Sequence, residues 1–399
     1  MGFELTKKQK IILSEIDTFS RDSKQVYEYG GLAGTGKSFI MPLILEKFKL
    51  QIHEVAAMAF IGSAAIVMRL KGMRNAKTIH SWLLEPTEVI KVDAQGKVVM
   101  DPYLNKPIYE TVFLPTDLPH DIKLIIVDEG GTVPKWLKPI IESRGVKVIV
   151  TGDPGQLPSV MDEPAYLVNP DNYITMDEIM RQNEANPLLY LANRARFDLP
   201  IHNGWYNGVL VVDKSEITDK MVLGSDVVLC PTNKTRDAIN HRIRHEILGI
   251  KTNIPVYGER LICRKNNWNI AVDGINLANG LNGYVTNSPD VSNFDGRTFK
   301  INFKPSLIDN QFIDLLVDYE YLTSNHEQRR KLKSSPYSVG EKFEYGYSST
   351  VHLSQGSEYN NGLYIDEYLN RDIQNRLRYT AITRFRHGMI YANISKKYF

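Results

Sequence analysis

The sequence predicts an α/β fold in more than one domain. Three observations carry that prediction. Short apolar runs alternate with stretches of helical periodicity, first over residues 25–151 and again over residues 187–248 and 362–392. Between the first run and the first helical stretch lies a glycine-rich octet, Gly31-Leu32-Ala33-Gly34-Thr35-Gly36-Lys37-Ser38. At about residues 251–339 the texture changes to short β-rich runs separated by Asp-Gly and Asn-Gly turns. That is the pattern of a small β module inserted into the second α/β stretch.

In chain order, residues 25–29 alternate like a short strand and residues 39–50 are apolar at helical spacing. Residues 54–60 read as an apolar strand and residues 63–71 as a helix. Residues 123–127 and 147–151 are short and fully apolar, as strands of a parallel sheet are when both faces are covered. The second set begins with a helix at 187–195, a strand at 227–230 and a helix at 234–248. It resumes with a strand at 362–365, a helix at 371–380 and a strand at 388–392. Inside the β module the clearest strands are 260–263 and 298–303. A smaller insertion occupies about residues 84–119, where residues 89–92 and 97–100 flank Asp93-Ala94-Gln95-Gly96 like the arms of a β-hairpin.

The bulk properties narrow the class. At 399 residues the chain is too long for one ordinary core. Its composition, 43% hydrophobic and 24% charged, is that of a water-soluble globular protein. A net charge of +2 supplies no global argument for nucleic acid, so any basic surface must be local. Two cysteines, Cys230 and Cys263, make neither a disulfide framework nor a metal quartet, which fits a cytoplasmic setting. The first residues lack a signal pattern. The most apolar stretch, residues 55–68, is broken by Gly62 and Ser63 and is too short to span a bilayer.

The octet is a full G-x-x-x-x-G-K-[ST] phosphate loop placed between a strand and a helix N-terminus. Gly31, Gly34, Thr35 and Gly36 supply backbone N–H groups that can turn toward phosphate oxygens, and the helix dipole adds positive potential there. Lys37 can reach the β- and γ-phosphates of ATP, and the Ser38 hydroxyl can ligate Mg²⁺. Downstream, an apolar strand ends in Asp128-Glu129. Asp128 can hold Mg²⁺ and Glu129 can deprotonate an attacking water. The next apolar strand ends in Thr151-Gly152-Asp153-Pro154-Gly155-Gln156-Leu157-Pro158, where the Gln156 amide can donate to a γ-phosphate.

The order of these segments resembles superfamily 1 helicases. G-D-x-x-Q-L-P after a phosphate loop and D-E looks like their motif III. Gln9 is similar to the adenine-reading glutamine. Thr78-Ile79-His80-Ser81-Trp82-Leu83 resembles motif Ib, and residues 176–182, ending in Arg181-Gln182, resemble motif IV. Val351-His352-Leu353-Ser354-Gln355-Gly356-Ser357-Glu358 resembles motif V, and residues 378–384, ending in Arg384, resemble motif VI. The wording of motifs V and VI with T-I-H-S is that of the RecD/Dda-type branch, which moves 5′→3′. The resemblance implies two RecA-like P-loop NTPase domains, at 1–185 and at 186–250 with 340–399, with ATP between them. It also implies a β-hairpin insertion in the first and an SH3-like β module, residues 251–339, in the second. Arg181 and Arg384 would stabilise γ-phosphoryl charge, and Thr78, His80, Thr232, Asn233, Thr350 and His352 match positions near the DNA strand. The implied partners are single-stranded DNA and duplex forks, with a single-strand-binding or replication protein beside them. The enzyme would act as a monomer, in DNA replication or recombination.

Several residues admit simpler roles. Trp82 and Trp268 read as core side chains before base-stacking ones. The cluster Arg329-Arg330-Lys331-Lys333 reads as a solvated face before a DNA track. Three departures from the family pattern bear on the grip on DNA: Ile61 lacks the usual hydroxyl, Leu353 stands where a lysine is usual, and Gly130-Gly131 follows the acidic pair. Rival readings are a translocase that strips proteins without unwinding, an ATP-switched loading protein, and a P-loop kinase. The hairpin argues against the first, the intact hydrolytic residues against the second, and motifs V and VI against the third.

Overall fold

The computed structural model describes residues 4–93, 95–100, 105–158, 162–178, 186–289, 294, 296–333 and 339–394. The first α/β unit is a sheet of six parallel strands. Its spatial order is Lys77–Thr78, Val55–Ala59, Leu124–Asp128, Lys147–Gly152, Val26–Gly31 and Ile174–Met176. Alternate residues of these strands enter opposite cores. Ile126 and Ile149 pack with Ile12, Ile40 and Met68 on one face, while Ile125 and Val148 pack with Leu137 and Tyr166 on the other. Burial on both faces is why the strands read as unbroken apolar runs. The register sets Ala59 beside Asp128 and Gly30 beside Gly152. The phosphate loop, the acidic pair and the Asp153–Leu157 turn therefore leave the sheet at one carboxyl edge, where ligands of open α/β sheets bind.

The second α/β unit is also six-stranded. Ser348–Thr350, Val228–Cys230, Tyr359–Ile365, Phe385–Asn393 and Val209–Asp213 run parallel, with Gly204–Tyr206 antiparallel at the edge. The expected helix at 234–248 is two segments, an α-helix over Asn233–His241 and a π-helical continuation over Arg242–Ile247. A third, fully antiparallel sheet orders Phe312–Asp318, Thr298–Pro305, Asn282–Val285, Arg260–Cys263 and Phe343–Tyr345. Its core holds Phe303 between Phe312 and Phe343, with ring centroids 6.4 and 5.0 Å away.

Two local expectations change. Of the expected arm 89–92, Val89 and Ile90 belong to Leu84–Ile90, which pairs along its whole length with Tyr109–Pro115, while Lys91 and Val92 face Val99 and Val98 as expected. The expected turn survives above that ladder, where Asp93 and Lys97 are joined by a 2.9 Å backbone bond and Val92 bridges Val98. The long pairing escaped notice because the two strands are separated by eighteen residues of polar, weakly alternating sequence. Arg329 is not part of a solvated face. It is 9% exposed and bonds to the Tyr321 and Leu322 carbonyls and to Asp237 at 3.2 Å. It joins Arg236 and Arg264 around the buried Glu344. Burial would raise that carboxyl, yet the three guanidiniums hold it below the usual range.

Candidate active site

The phosphate loop is shaped by two left-handed glycines, Gly34 and Gly36, with φ of 76° and 84°. Gly36 caps the Lys37–Phe48 helix, which directs the helix N-terminus at the cleft. Thr35 is fully buried, and its hydroxyl donates to the Leu32 carbonyl at 2.7 Å. Gln9 braces the same loop from behind. Its Oε1 accepts from the Thr6 N–H at 3.0 Å in a capping box, and its Nε2 donates to the Thr35 carbonyl at 2.9 Å. Gln9, Gly31 and Thr35 thus shape the loop from positions outside the cleft lining.

A cavity of about 330 Å³ lies between the two α/β units. Lys37, Ser38, Asp128, Glu129 and Gln156 line it from the first unit, and Arg384 from the second. The Lys37 ammonium bonds to the Gly31 carbonyl at 2.5 Å and lies 3.9 Å from Asp153. Asp128 ends its strand and accepts the Glu129 N–H at 2.9 Å. Glu129 takes a left-handed φ of 55°, which turns the chain sharply after the strand. Gly130 follows because a Cβ there would lie 2.4 Å from Val150 Cγ1. The departure from the family pattern at this position is therefore a packing requirement. Burial pushes both the Asp128 and Glu129 carboxyls up, and the Asp128 charge adds to the rise at Glu129. Lys37 opposes the rise at Asp128, and Arg384 and Lys37 oppose it at Glu129.

Gln156 is buried. Its Nε2 donates to Asp153 at 3.4 Å, while its Oε1 has no hydrogen-bond partner among the described residues. Arg384 is 5% exposed and is held by the Thr380 carbonyl at 3.2 Å and the Ser357 carbonyl at 3.4 Å. Arg181 lies outside the described residues, as do Ala94 of the hairpin turn and the Trp268 side chain.

The cleft also holds residues that motif reading passed over. Lys71, at the end of the Gly62–Leu70 helix, pairs with Glu358 across the units at 2.8 Å. Burial raises the Glu358 carboxyl, but Lys71 and Arg386 overcome it and pull it down to about 2. Lys71 carried no signal in the sequence beyond its place at a helix end.

The candidate strand-contact residues are dispersed. Thr78 caps the Ile79–Leu83 helix, its hydroxyl accepting from the Ser81 N–H at 3.1 Å. His80 stands in an aromatic cluster, 5.8 Å from Phe60, 5.3 Å from Phe113 and 6.1 Å from Trp136, and burial lowers its pKa. Thr232 caps Asn233–His241, Asn233 bonds to His326 at 3.4 Å, and Thr350 accepts from the Leu353 N–H at 3.3 Å. His352 is half-buried, with its pKa lowered by burial. Trp82 donates its indole N–H to the Ala57 carbonyl at 2.8 Å and belongs to the core.

The family described as AAA domain matches residues 4–196, just under half of the chain. An uncharacterized protein, R530, of Acanthamoeba polyphaga mimivirus is 27% identical in a 205-residue alignment that covers 45% of this chain and 40% of that protein. The chain therefore spans less than half the length of that relative. Among solved structures, a Pif1 helicase from Bacteroides in complex with ADP-AlF3 and ssDNA superposes with a TM-score of 0.54 at 15% identity. The match covers 98% of this chain and 93% of that one. A structure of two coordinating Pif1 helicases at forked dsDNA gives 0.54 at 17% identity, over 98% and 92% of the two chains. Pif1 helicase from Candida albicans gives 0.50 at 16% identity, over 98% and 95%. Residues 4–196 thus match the AAA domain family, and over 98% of its length the chain has the fold seen in the Pif1 helicases.

Proposed function

We propose that this chain is an ATP-dependent DNA helicase that moves 5′→3′ along single-stranded DNA and unwinds duplex. One observation carries the reading: the phosphate loop, acidic pair and Gln156 of one α/β unit face Arg384 of the other across a single cleft. A site split this way completes itself only when the units close, so hydrolysis moves them relative to each other. Relatives of the same fold are described with ADP-AlF3, ssDNA and forked dsDNA, which supports the choice of ligands.

The loop amides and Lys37 would hold the triphosphate. Ser38 and Asp128 offer a hydroxyl and a carboxylate in the cleft, hard oxygen donors suited to Mg²⁺. Such an ion neutralises charge on the β- and γ-phosphates when bound. Glu129, its carboxyl raised by burial and by Asp128, is the base for the attacking water. The buried Oε1 of Gln156, which has no partner among the described residues, is an acceptor that can orient that water. Arg384 neutralises charge developing on the transferred group. Past the Leu84–Ile90 and Tyr109–Pro115 ladder, Val92, Val98 and Met100 are 50%, 39% and 43% exposed. Apolar side chains at a projecting tip suit a wedge against base pairs, which favours unwinding over translocation alone. Thr78, His80, Thr232, Asn233, Thr350 and His352 are the proposed strand contacts.

The test is ATP hydrolysis with and without single-stranded DNA, for the wild-type chain and for Glu129→Gln. DNA should stimulate the wild-type rate, while Glu129→Gln should bind ATP and lose turnover. A Glu129→Gln protein that hydrolyses ATP normally removes Glu129 from its role.

A further inference from the structure

The Asp153 turn and the phosphate loop meet at a side chain from the second α/β unit. Tyr379 is 1% exposed and lies on the Arg371–Ile382 helix, which ends two residues before Arg384. Its hydroxyl accepts the Ala33 N–H of the phosphate loop at 3.0 Å and donates to Asp153 Oδ2 at 2.7 Å. Asp153 also accepts from the Gly155 N–H at 2.9 Å and lies 3.9 Å from the Lys37 ammonium. The fit is close on every side. A Cβ on Gly155 would lie 3.0 Å from the Tyr379 ring and 3.2 Å from Asp153 Oδ1. The next residue, Thr380, accepts the Leu157 N–H at 3.0 Å.

We propose that Tyr379 is a positioning residue. Its one hydroxyl fixes the phosphate loop, the Asp153 carboxylate beside Lys37 and the helix that delivers Arg384 in a single geometry. The inference rests on the ATPase reading and goes beyond it. The linkage runs from Lys37 through Asp153 and Tyr379 to Ala33, and the Tyr379 helix leads to Arg384, so Lys37 and Arg384 both depend on one hydroxyl outside the cleft lining. Removing the hydroxyl leaves both binding surfaces intact and loosens their mutual placement, which transition-state chemistry feels more than ground-state binding does.

Tyr379→Phe keeps the ring and deletes the hydroxyl. A hydrogen bond to a charged acceptor sets the scale, so kcat of DNA-stimulated hydrolysis should fall about ten- to a hundred-fold. The affinity for a fluorescent ATP analogue should change by less than about three-fold. Asp153→Asn should also lower kcat, and the double variant should be no slower than the slower single variant, because the two act through one linkage. Additive losses, an unchanged kcat in Tyr379→Phe, or equal losses in kcat and affinity would each overturn the proposal. Thermal unfolding of each variant separates a misfolded chain from a loosened site. If Tyr379→Phe misfolds, kcat against affinity in Asp153→Asn decides alone. A wild-type chain without turnover sinks the ATPase reading instead. The coupling of Tyr379 and Asp153 is then read on thermal unfolding, where strictly additive losses in the double variant sink the linkage too.

Discussion

Glu129 and Arg384 face each other across the cleft, and their tests differ. Because burial and Asp128 raise the Glu129 carboxyl, the base is still protonated where an ordinary carboxylate of pKa ~4.3 is not. The acid limb of kcat should therefore fall at a pH above that ordinary value, measured as the pH profile under saturating ATP. A limb at or below it would place the base elsewhere. Arg384→Ala should lower kcat within the roughly 10³–10⁵-fold range of arginine fingers while changing ATP affinity far less. Equal losses in both would mean ground-state binding only. Glu358 gives a stability test of opposite sign. Its carboxyl is held down to about 2, so its pairing stabilises the fold above the unfolded value and is lost as pH falls toward 2. Lys71→Met should flatten that acid loss in melting curves taken across this window, and an unchanged slope would remove the pair from the account. Motif residues such as Lys37, Ser38 and Asp128 were legible because their spacing is the chemistry. Lys71 and Tyr379 were not, since each acts through a neighbour more than two hundred residues away in sequence.

Elements show the same division between local and distant information. The apolar strands Val55–Ala59, Leu124–Asp128 and Lys147–Gly152 were readable because burial on both faces leaves no polar positions. The partner of Leu84–Ile90 was not, because pairing across a polar insertion leaves no periodic trace. Arg329, on the His326–Lys333 helix, reads as a surface arginine until Glu344, on the Phe343–Tyr345 strand, gives it a buried counter-charge. Two elements carry predictions. Shortening the turn between Val92 and Val98 should impair strand separation and leave DNA-stimulated ATPase intact. Loss of both together would make the hairpin a folding element. Gly130→Ala forces a methyl to within 2.4 Å of Val150, so overpacking should cost about 1–3 kcal/mol in chemical denaturation. Val150→Ala in the same chain should recover part of that loss, and no recovery would point to backbone strain at the turn instead.

At the scale of the whole molecule, the two α/β units flank the cleft, and the antiparallel sheet lies outside its lining. The Gly62–Leu70 helix joins them. Lys71 at its end pairs with Glu358 of the second unit, and Arg69 donates to the Asp273 and Gly274 carbonyls in the β-rich module. In the proposed cycle, closure of the cleft would be felt at the segment that starts with Ile61 and, beyond the helix, at Thr78, where a strand is proposed to lie. Ile61 and Leu353 withhold polar groups from that path, so DNA affinity should be modest, and it should weaken as salt rises through the remaining phosphate contacts. The most direct test of the account is ATP-driven separation of two forked duplexes, one with a single-stranded 5′ tail and one with a 3′ tail. The account predicts unwinding from the 5′ tail, abolished by Lys37→Ala, and none from the 3′ tail alone. Efficient unwinding from the 3′ tail would contradict the direction, and ATP hydrolysis without separation of either duplex would contradict the helicase reading itself.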